Sequence, residues 1–267
     1  MQPIFNEYNS FLKDNNLDFQ VEEGMYWLDR QIIKAYDKNT GELRKLARIY
    51  VDEDLGLTLK RYKYKEFEIE SWQETITRQE DRINQLEQES LNLIKEKLEK
   101  YKDRTPYVLT SDGKDSVVTE HLVQKIVPDV ESVFNNTSLD IAATYKHIKS
   151  KDNTIIVNPK EGFHQWLRKN MIPTRISRAC CRIFKEGETV SYFNENEKII
   201  FFMGMRNQES SHRSGYVDEW RNDIWGYRKW DGVLPIRKWT EEDIWLYTLK
   251  NNLYINYKYK QGYGRVG

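Results

Sequence analysis

The spacing of apolar positions changes three times along this chain, and each change predicts a different kind of element. Over residues 1 to about 23 the chain is polar, with Phe5, Tyr8, Phe11 and Leu12 spaced as one short helix face. From Met25 to Tyr62 the pattern turns strand-like: Met25-Tyr26-Trp27-Leu28 and residues 31–36, 46–51 and 55–59 are short apolar runs. Asp37-Lys38-Asn39-Thr40-Gly41 between two of them has hairpin-turn composition, so a small antiparallel sheet is expected. Residues 66–101 then contain neither Gly nor Pro and place Ile83, Leu86, Ile94 and Leu98 near one face. One long connecting helix is predicted, because its apolar stripe is too short for several heptads of a coiled-coil arm. Pro106 is expected to end it.

Beyond Pro106, short apolar runs alternate with helical periods. Tyr107-Val108-Leu109-Thr110 predicts a strand, and apolar residues at 117, 118, 122, 123, 126 and 127 predict a helix. Residues 131–135, 154–157 and 198–203 read as strands, whereas 141–148, 162–170 and the stretch after Cys181 read as helices. Continuous apolar strands separated by helices argue for a doubly wound parallel α/β sheet covered on both faces. The expected organisation is a small β-rich unit over 1–65, a long connecting helix over 66–103 and the α/β domain over 104–267. Ligands in such sheets lie beyond the carboxyl ends of the strands, which singles out residues 111–116, 135–137 and 204–206.

Composition narrows the classes. At 267 residues the chain can bury one good-sized core, or a core plus an appendage. Lys+Arg and Asp+Glu are equal at 42 each, so no global basic field argues for non-specific nucleic-acid binding, although a local patch stays open. No signal-peptide pattern appears and no apolar run approaches the ~18 residues of a membrane span, so a cytoplasmic protein without a membrane partner is expected. The two cysteines, Cys180 and Cys181, are neighbours, and a disulfide between neighbours is strained. Buried thiols, reactive thiols or metal ligands remain. His121, His147, His164 and His212 show no metal-ligand spacing.

The densest chemistry lies in Ser111-Asp112-Gly113-Lys114-Asp115-Ser116, between a predicted strand and a predicted helix. Such a junction aims backbone N–H groups and the positive end of a helix dipole at one point, and here adds two hydroxyls and an ammonium. It is built to hold an anion, phosphate being the natural candidate. A Walker loop would need two glycines flanking four residues and then Lys-Ser/Thr, whereas Lys114 is followed by Asp115. The stretch instead resembles the S-x-G-K-D-S pyrophosphate loop of the adenine-nucleotide α-hydrolase superfamily, with Asp112 where a second glycine is commoner. That group includes ATP pyrophosphatases, tRNA thiolation enzymes and the phosphoadenylyl-sulfate (PAPS) reductases.

Three later segments resemble the PAPS reductase branch in the same order. Phe134 to Tyr145 is similar to its second-strand motif, with Ser138 in place of a glycine and Ala143 in place of a glutamate. The resemblance implies that Asn136 and Thr137 lie against the nucleoside; read alone, they make an equally good helix cap. Gly204-Met205-Arg206-Asn207-Gln208-Glu209-Ser210-Ser211-His212-Arg213 matches G-x-R-x-x-E-S-x-x-R. Arg206 and Arg213 can form a forked clamp on sulfate or phosphate oxygens, with Glu209 orienting one of them. Leu234 to Tyr247 resembles P-I-x-x-W-T-x-x-D-V-W-x-Y, and there Thr240 and Asp243 are placed to cap a helix.

Arg178-Ala179-Cys180-Cys181-Arg182-Ile183-Phe184-Lys185 resembles the R-x-C-C-x-x-x-K segment of sulfonucleotide reductases. In iron–sulfur members this resemblance implies that the pair ligates a four-iron four-sulfur cluster together with a C-x-x-C roughly eighty residues on. No such cysteines stand in this chain, so Cys180 and Cys181 are metal ligands only if a downstream pair exists outside it. A natural chain continuing past Gly267 is favoured over loss of the cluster, and a cluster in this chain alone is not expected.

The resemblance implies an adenine-nucleotide-binding enzyme of sulfur metabolism, taking ATP or PAPS. Ser111, Gly113, Lys114, Asp115, Ser116, Asn136, Thr137, Arg206 and Glu209 would bind the nucleotide, and Lys114, Asp115, Arg206 and Arg213 would act on it. The reaction is either reduction of a sulfonucleotide to sulfite, or cleavage of ATP between its α and β phosphates to adenylate a target, as in DNA phosphorothioation or tRNA thiolation. In the second, magnesium would help stabilise the departing pyrophosphate. A non-catalytic nucleotide sensor or assembly subunit is the reading from a different class. The N-terminal unit is the expected contact for a protein partner, and nucleic acid is an expected final substrate of the thiolation chemistry, not indicated by net charge.

Overall fold

The computed structural model describes residues 1–170, 172–174, 181–193, 197–209, 215–220 and 230–266. The chain divides into two compact units, Met1–Leu86 with Thr240–Val266, and Glu87–Trp239. The elements, in chain order, begin with β1 (Gln2–Pro3), α1 (Tyr8–Asp14), β2 (Trp27–Asp29), β3 (Ile32–Asp37), β4 (Leu43–Val51), β5 (Leu57–Arg61) and β6 (Ile69–Glu70). The helices α2 (Trp72–Arg78) and α3 (Glu80–Lys100) follow, and then β7 (Thr105–Thr110), α4 (Lys114–Gln124), β8 (Glu131–Asn135) and α5 (Ala142–Lys149). Next come β9 (Thr154–Val157), α6 (Phe163–Lys169), a π-helical turn over Cys181–Gly187, α7 (Glu188–Tyr192) and β10 (Ile199–Met203). The chain closes with β11 (Glu219–Trp220), β12 (Trp230–Val233), α8 (Glu241–Lys250) and α9 (Tyr257–Lys260).

The first unit is built on an antiparallel sheet in the order β1-β2-β3-β4-β5, with β6 added to β3. One face of that sheet buries Leu28, Ile33, Ala47 and Ile49 against Ile4, Tyr8, Leu12, Leu17 and Val21. Its other face is covered near β2 and β3 by aromatic packing: Trp27 is fully buried, with Trp72 at 6.1 Å and Tyr36 at 6.4 Å between ring centroids. In α8, Thr240 and Asp243 form the expected capping box, and Asp243 also receives both Arg82 Nε (2.9 Å) and Nη2 (3.0 Å).

The single helix expected over residues 66–101 is interrupted. Residues 69–70 pair with β3, Ser71 and Glu74 form a capping box that starts α2, and the chain leaves helical geometry at Gln79 (φ −101°, ψ 11°) before α3 begins. The physical reason lies in Glu70: it is buried beside β3 and holds Arg78 through a 2.9 Å ion pair, which a continuous helix would not allow. The long helix also stops at Lys100, before Pro106, which stands within β7.

The second unit contains the expected parallel sheet. Its order is β11-β12-β10-β7-β8-β9; β12, β10, β7, β8 and β9 run parallel, and β11 is antiparallel at the edge. Every residue of β10 is buried, as its unbroken apolar sequence predicts. Because β10, β7 and β8 are neighbours, the loops leaving their carboxyl ends stand side by side.

Candidate functional site: an anion loop at three strand ends

The turn from β7 into α4 is held by its own hydroxyls. Ser116 Oγ donates to the Gly113 carbonyl (2.9 Å) and accepts from the Ser111 amide (3.3 Å), while the Asp112 amide donates to Thr110 Oγ1 (3.2 Å). Gly113 is the extended residue before the helix (φ −82°, ψ 160°). The amides of the first turn of α4, from Lys114 on, therefore face the loop without intrahelical acceptors, as at any helix start. With the helix dipole, this is an arrangement suited to an anion.

Charged side chains complete it. Lys114 is buried, with Nζ 3.3 Å from Asp115 Oδ2. The other oxygen of Asp115 binds Nε of Arg206, which follows β10 and is 4% exposed. Glu209 accepts from the Arg206 amide (2.9 Å), and the Arg206 guanidinium also donates to Gln208 (3.4 Å). Two buried cations share one carboxylate, so these three groups together carry a net positive charge at a helix N-terminus. An incoming dianion would balance it. Both oxygens of Asp115 are turned to cations. Among the described residues no group of three or more His, Cys, Asp or Glu is placed to hold a metal ion.

Gly204 is what lets these strands' exits meet. A Cβ there would lie 2.6 Å from the Asp115 carbonyl oxygen and 2.8 Å from the Ser116 amide nitrogen, both backbone atoms. The sequence places Gly204 at a strand exit and in the Arg motif, but the close backbone approach appears only in the structure.

Two positions at which the resembled motifs carry glycine prove to be left-handed here: Asp112 and Ser138 both have φ of 58°. Each replacement uses its side chain to tie a loop to a neighbouring helix. The Asp112 carboxylate, almost fully buried, accepts from or shares a proton with His147 Nδ1 of α5 at 2.7 Å, and its second oxygen has no hydrogen-bond partner among the described residues. Burial pushes the Asp112 carboxyl above the usual range, against the pull of His147 and Lys151. Ser138 Oγ accepts from the amide of Phe163, the first residue of α6 (2.7 Å). Next to Asp112 lies a second buried polar group, in which Glu120 of α4 accepts from Ser132 (2.9 Å) and pairs with Lys151 (2.6 Å).

Asn136 and Thr137 leave β8 beside the loop and are engaged in a local turn. Asn136 Oδ1 accepts from the Ser138 amide (2.9 Å), Asn136 Nδ2 donates to Asn158 (2.9 Å), and Thr137 Oγ1 donates to Asp140 (2.8 Å). Arg213 and Cys180 lie outside the described residues, as does the side chain of Cys181, whose backbone opens the π-helical turn. Two cysteines in the whole chain do not fit a cluster that needs four thiolates.

The second unit is thus a parallel α/β sheet with a buried Arg–Asp–Lys cluster where its central strand β7 runs into α4. Residues 105–267 match the phosphoadenosine phosphosulfate reductase domain, and the chain belongs to that family. An uncharacterized protein of Methanocaldococcus jannaschii is 29% identical over 225 residues, covering 79% of this chain; the chain spans only 51% of that relative's length. The adenosine 5'-phosphosulfate reductase of a Geobacillus strain is 27% identical over 188 residues, covering 67% of this chain and 77% of the enzyme. Among solved structures, the phosphoadenylyl-sulfate reductase of Candida auris, determined as a phosphate complex, superposes with a TM-score of 0.53 at 16% identity, covering 70% of this chain and 94% of that one. At that identity the likeness speaks for the fold alone. Among the described residues no helix is long and apolar enough to cross a membrane.

Proposed function

We propose that this chain is an adenine-nucleotide-binding enzyme of sulfur metabolism, acting on a sulfonucleotide in the manner of the PAPS reductases. The observation that carries the reading is the Lys114–Asp115–Arg206 cluster at the N-terminus of α4, a preformed seat for a phosphate or sulfate group. Lys114 and the first amides of α4 bind the anion, Arg206 supplies the second cation, and Asp115 holds the two cations in register. The buried setting strengthens each of these interactions on charge that develops during the reaction. In the reductase reading the sulfur–oxygen bond of the bound sulfonucleotide breaks, sulfite leaves, and an external dithiol supplies two electrons and becomes a disulfide.

A second reading rests on one feature, the resemblance of Ser111–Ser116 to the pyrophosphate loop of ATP pyrophosphatases. In that reading ATP is the nucleotide, the bond between its α and β phosphates breaks, and the adenylate goes to a target for sulfur transfer. Product analysis decides. The protein is given PAPS with a dithiol in one tube and ATP with magnesium in another. Sulfite from the first supports the reductase, AMP with pyrophosphate from the second supports the adenylating enzyme, and tight nucleotide binding with neither product reduces the site to a sensor. Lys114→Ala is expected to abolish whichever product appears.

A further inference from the structure

We propose that the open face of β4 and β5, in the first unit, is a docking surface for single-stranded nucleic acid. The inference goes beyond the nucleotide site and uses none of its residues. The aromatic cover over Trp27 and Tyr36 lies on the β2–β3 part of this sheet face. On β4 and β5 the same face carries different chemistry. Arg48 and Lys60 are direct cross-strand partners, and Tyr50, two residues on from Arg48, is opposite Thr58. The Arg48 guanidinium lies 4.9 Å and the Lys60 ammonium 5.2 Å from the centre of the Tyr50 ring. Lys45, the register partner of Lys34, joins this face. Lys63 and Lys65 follow in the exposed segment that leaves β5, beside Lys45, where the Tyr62 amide binds the Leu46 carbonyl.

These cations are unpaired. Lys45, Arg48, Lys60, Lys63 and Lys65 have no acidic partner among the described residues. The acids of the hairpin, Asp52, Glu53 and Asp54, are confined to the turn at its far end, where Asp52 holds the Gly56 amide. Chain neutrality thus hides a local excess. Protection of an edge strand explains a lysine on β5. It does not explain Arg48 and Lys45 one strand further in, nor an aromatic ring with two cations against it.

Nucleic acid answers both features. Phosphates suit free ammonium and guanidinium groups, and nucleobases stack on a tyrosine ring or a guanidinium plane. An acidic peptide would use the charges and leave the ring idle. Single strands fit better than duplex, because their bases are free to stack on an open sheet face.

The test is fluorescence anisotropy of the full chain with mixed-sequence labelled 15-mers, RNA and DNA in separate arms, between 50 and 200 mM salt. The expected result is binding to at least one of the two, with log affinity falling against log salt at a slope of about −2 to −3.5, as for three to five phosphate contacts on a single strand. Arg48→Gln with Lys60→Gln should weaken binding at least tenfold and flatten the slope by about 1.4. Tyr50→Leu should weaken it by about 5- to 100-fold with little change in slope, the signature of lost stacking. Should either variant melt early, the exposed reversals Lys45→Glu and Lys63→Glu replace it. Lys114→Ala should bind the oligonucleotide normally, so failure of the nucleotide-site reading leaves this one intact. Absence of binding at 50 mM salt, unchanged binding by the variants, loss with Lys114→Ala, or equal affinity for a poly-glutamate peptide of the same length would each overturn the proposal.

Discussion

Asp112 and His147, 35 residues apart in sequence, are joined by a 2.7 Å hydrogen bond that ties the anion loop to α5. The carboxylate is buried, and burial outweighs the pull of His147 in setting its pKa high. The ionised form is thus disfavoured in the fold relative to the unfolded chain. Asp112→Asn keeps the shape, tolerates the left-handed backbone and removes that penalty. We expect the Asp112→Asn variant to melt higher than the parent at pH 8. The sign follows from linkage: a carboxyl with a raised folded pKa contributes stability at low pH that is lost as pH rises through that pKa, so the advantage of the amide should vanish in acid. His147→Ala has the opposite effect. It strands a buried carboxylate and should cost about 3 kcal/mol or more, read by chemical denaturation at neutral pH.

Substitution at Gly204 tests the close approach of two strand exits. Alanine there meets the backbone of Asp115 and Ser116 well inside contact distance, so one of the two segments must shift. The expected cost is about 1–3 kcal/mol of stability. Phosphate or nucleotide affinity should drop as well, since the displaced atoms open α4. Calorimetry with inorganic phosphate and a denaturation curve on the same sample would separate the two effects.

Arg206→Ala removes the cation that neutralises Asp115 from the β10 side. Anion affinity should fall by roughly 10- to 100-fold, the scale of a charge-assisted hydrogen bond, measured with ATP or PAPS by equilibrium dialysis. The double variant Arg206→Ala with Asp115→Asn should recover stability without recovering affinity.

Glu219 predicts the acid limb of stability in the second unit. Burial opposes its ionisation, but Lys100, Tyr101 and Lys97 outweigh that and bring its pKa to about 2 from an ordinary 4.5. A depressed carboxyl contributes stability that is complete above the unfolded value and is lost as pH falls from 4.5 towards 2. Glu219→Gln should therefore lower the melting temperature at pH 7 and make it less dependent on pH below 4.5, as scanning calorimetry can check.

Local sequence revealed what local physics determines. The run Ile199–Met203 is apolar because it is buried on both faces, and the Ser111–Ser116 turn is legible because small, polar and cationic residues stand side by side between a strand and a helix. Thr240 and Asp243 cap α8 over a span of three residues, and that too was readable. What escaped depends on distance. No spacing rule connects Asp112 to His147, although an aspartate at a glycine-type position was the available hint. The interruption at Gln79 has no Gly or Pro to announce it; it follows from pairing of Glu70 with Arg78 beside β3. The basic face of β4 and β5 disappears in a count of 42 against 42, because charge acts through where it is placed.

The ion pair between Asp115 and Arg206 spans 91 residues, and that interval is also a stretch of time. At a synthesis rate of about 5–20 residues per second, the loop and α4 leave the ribosome roughly 5–20 s before the arginine that completes them. During that wait Asp115 has Lys114 as its nearby cation and the neighbouring strand β10 has not yet been made. A nascent chain paused in this window would hold the loop and α4 without Arg206, so the moment at which the Lys114–Asp115–Arg206 cluster is complete is set by translation of β10.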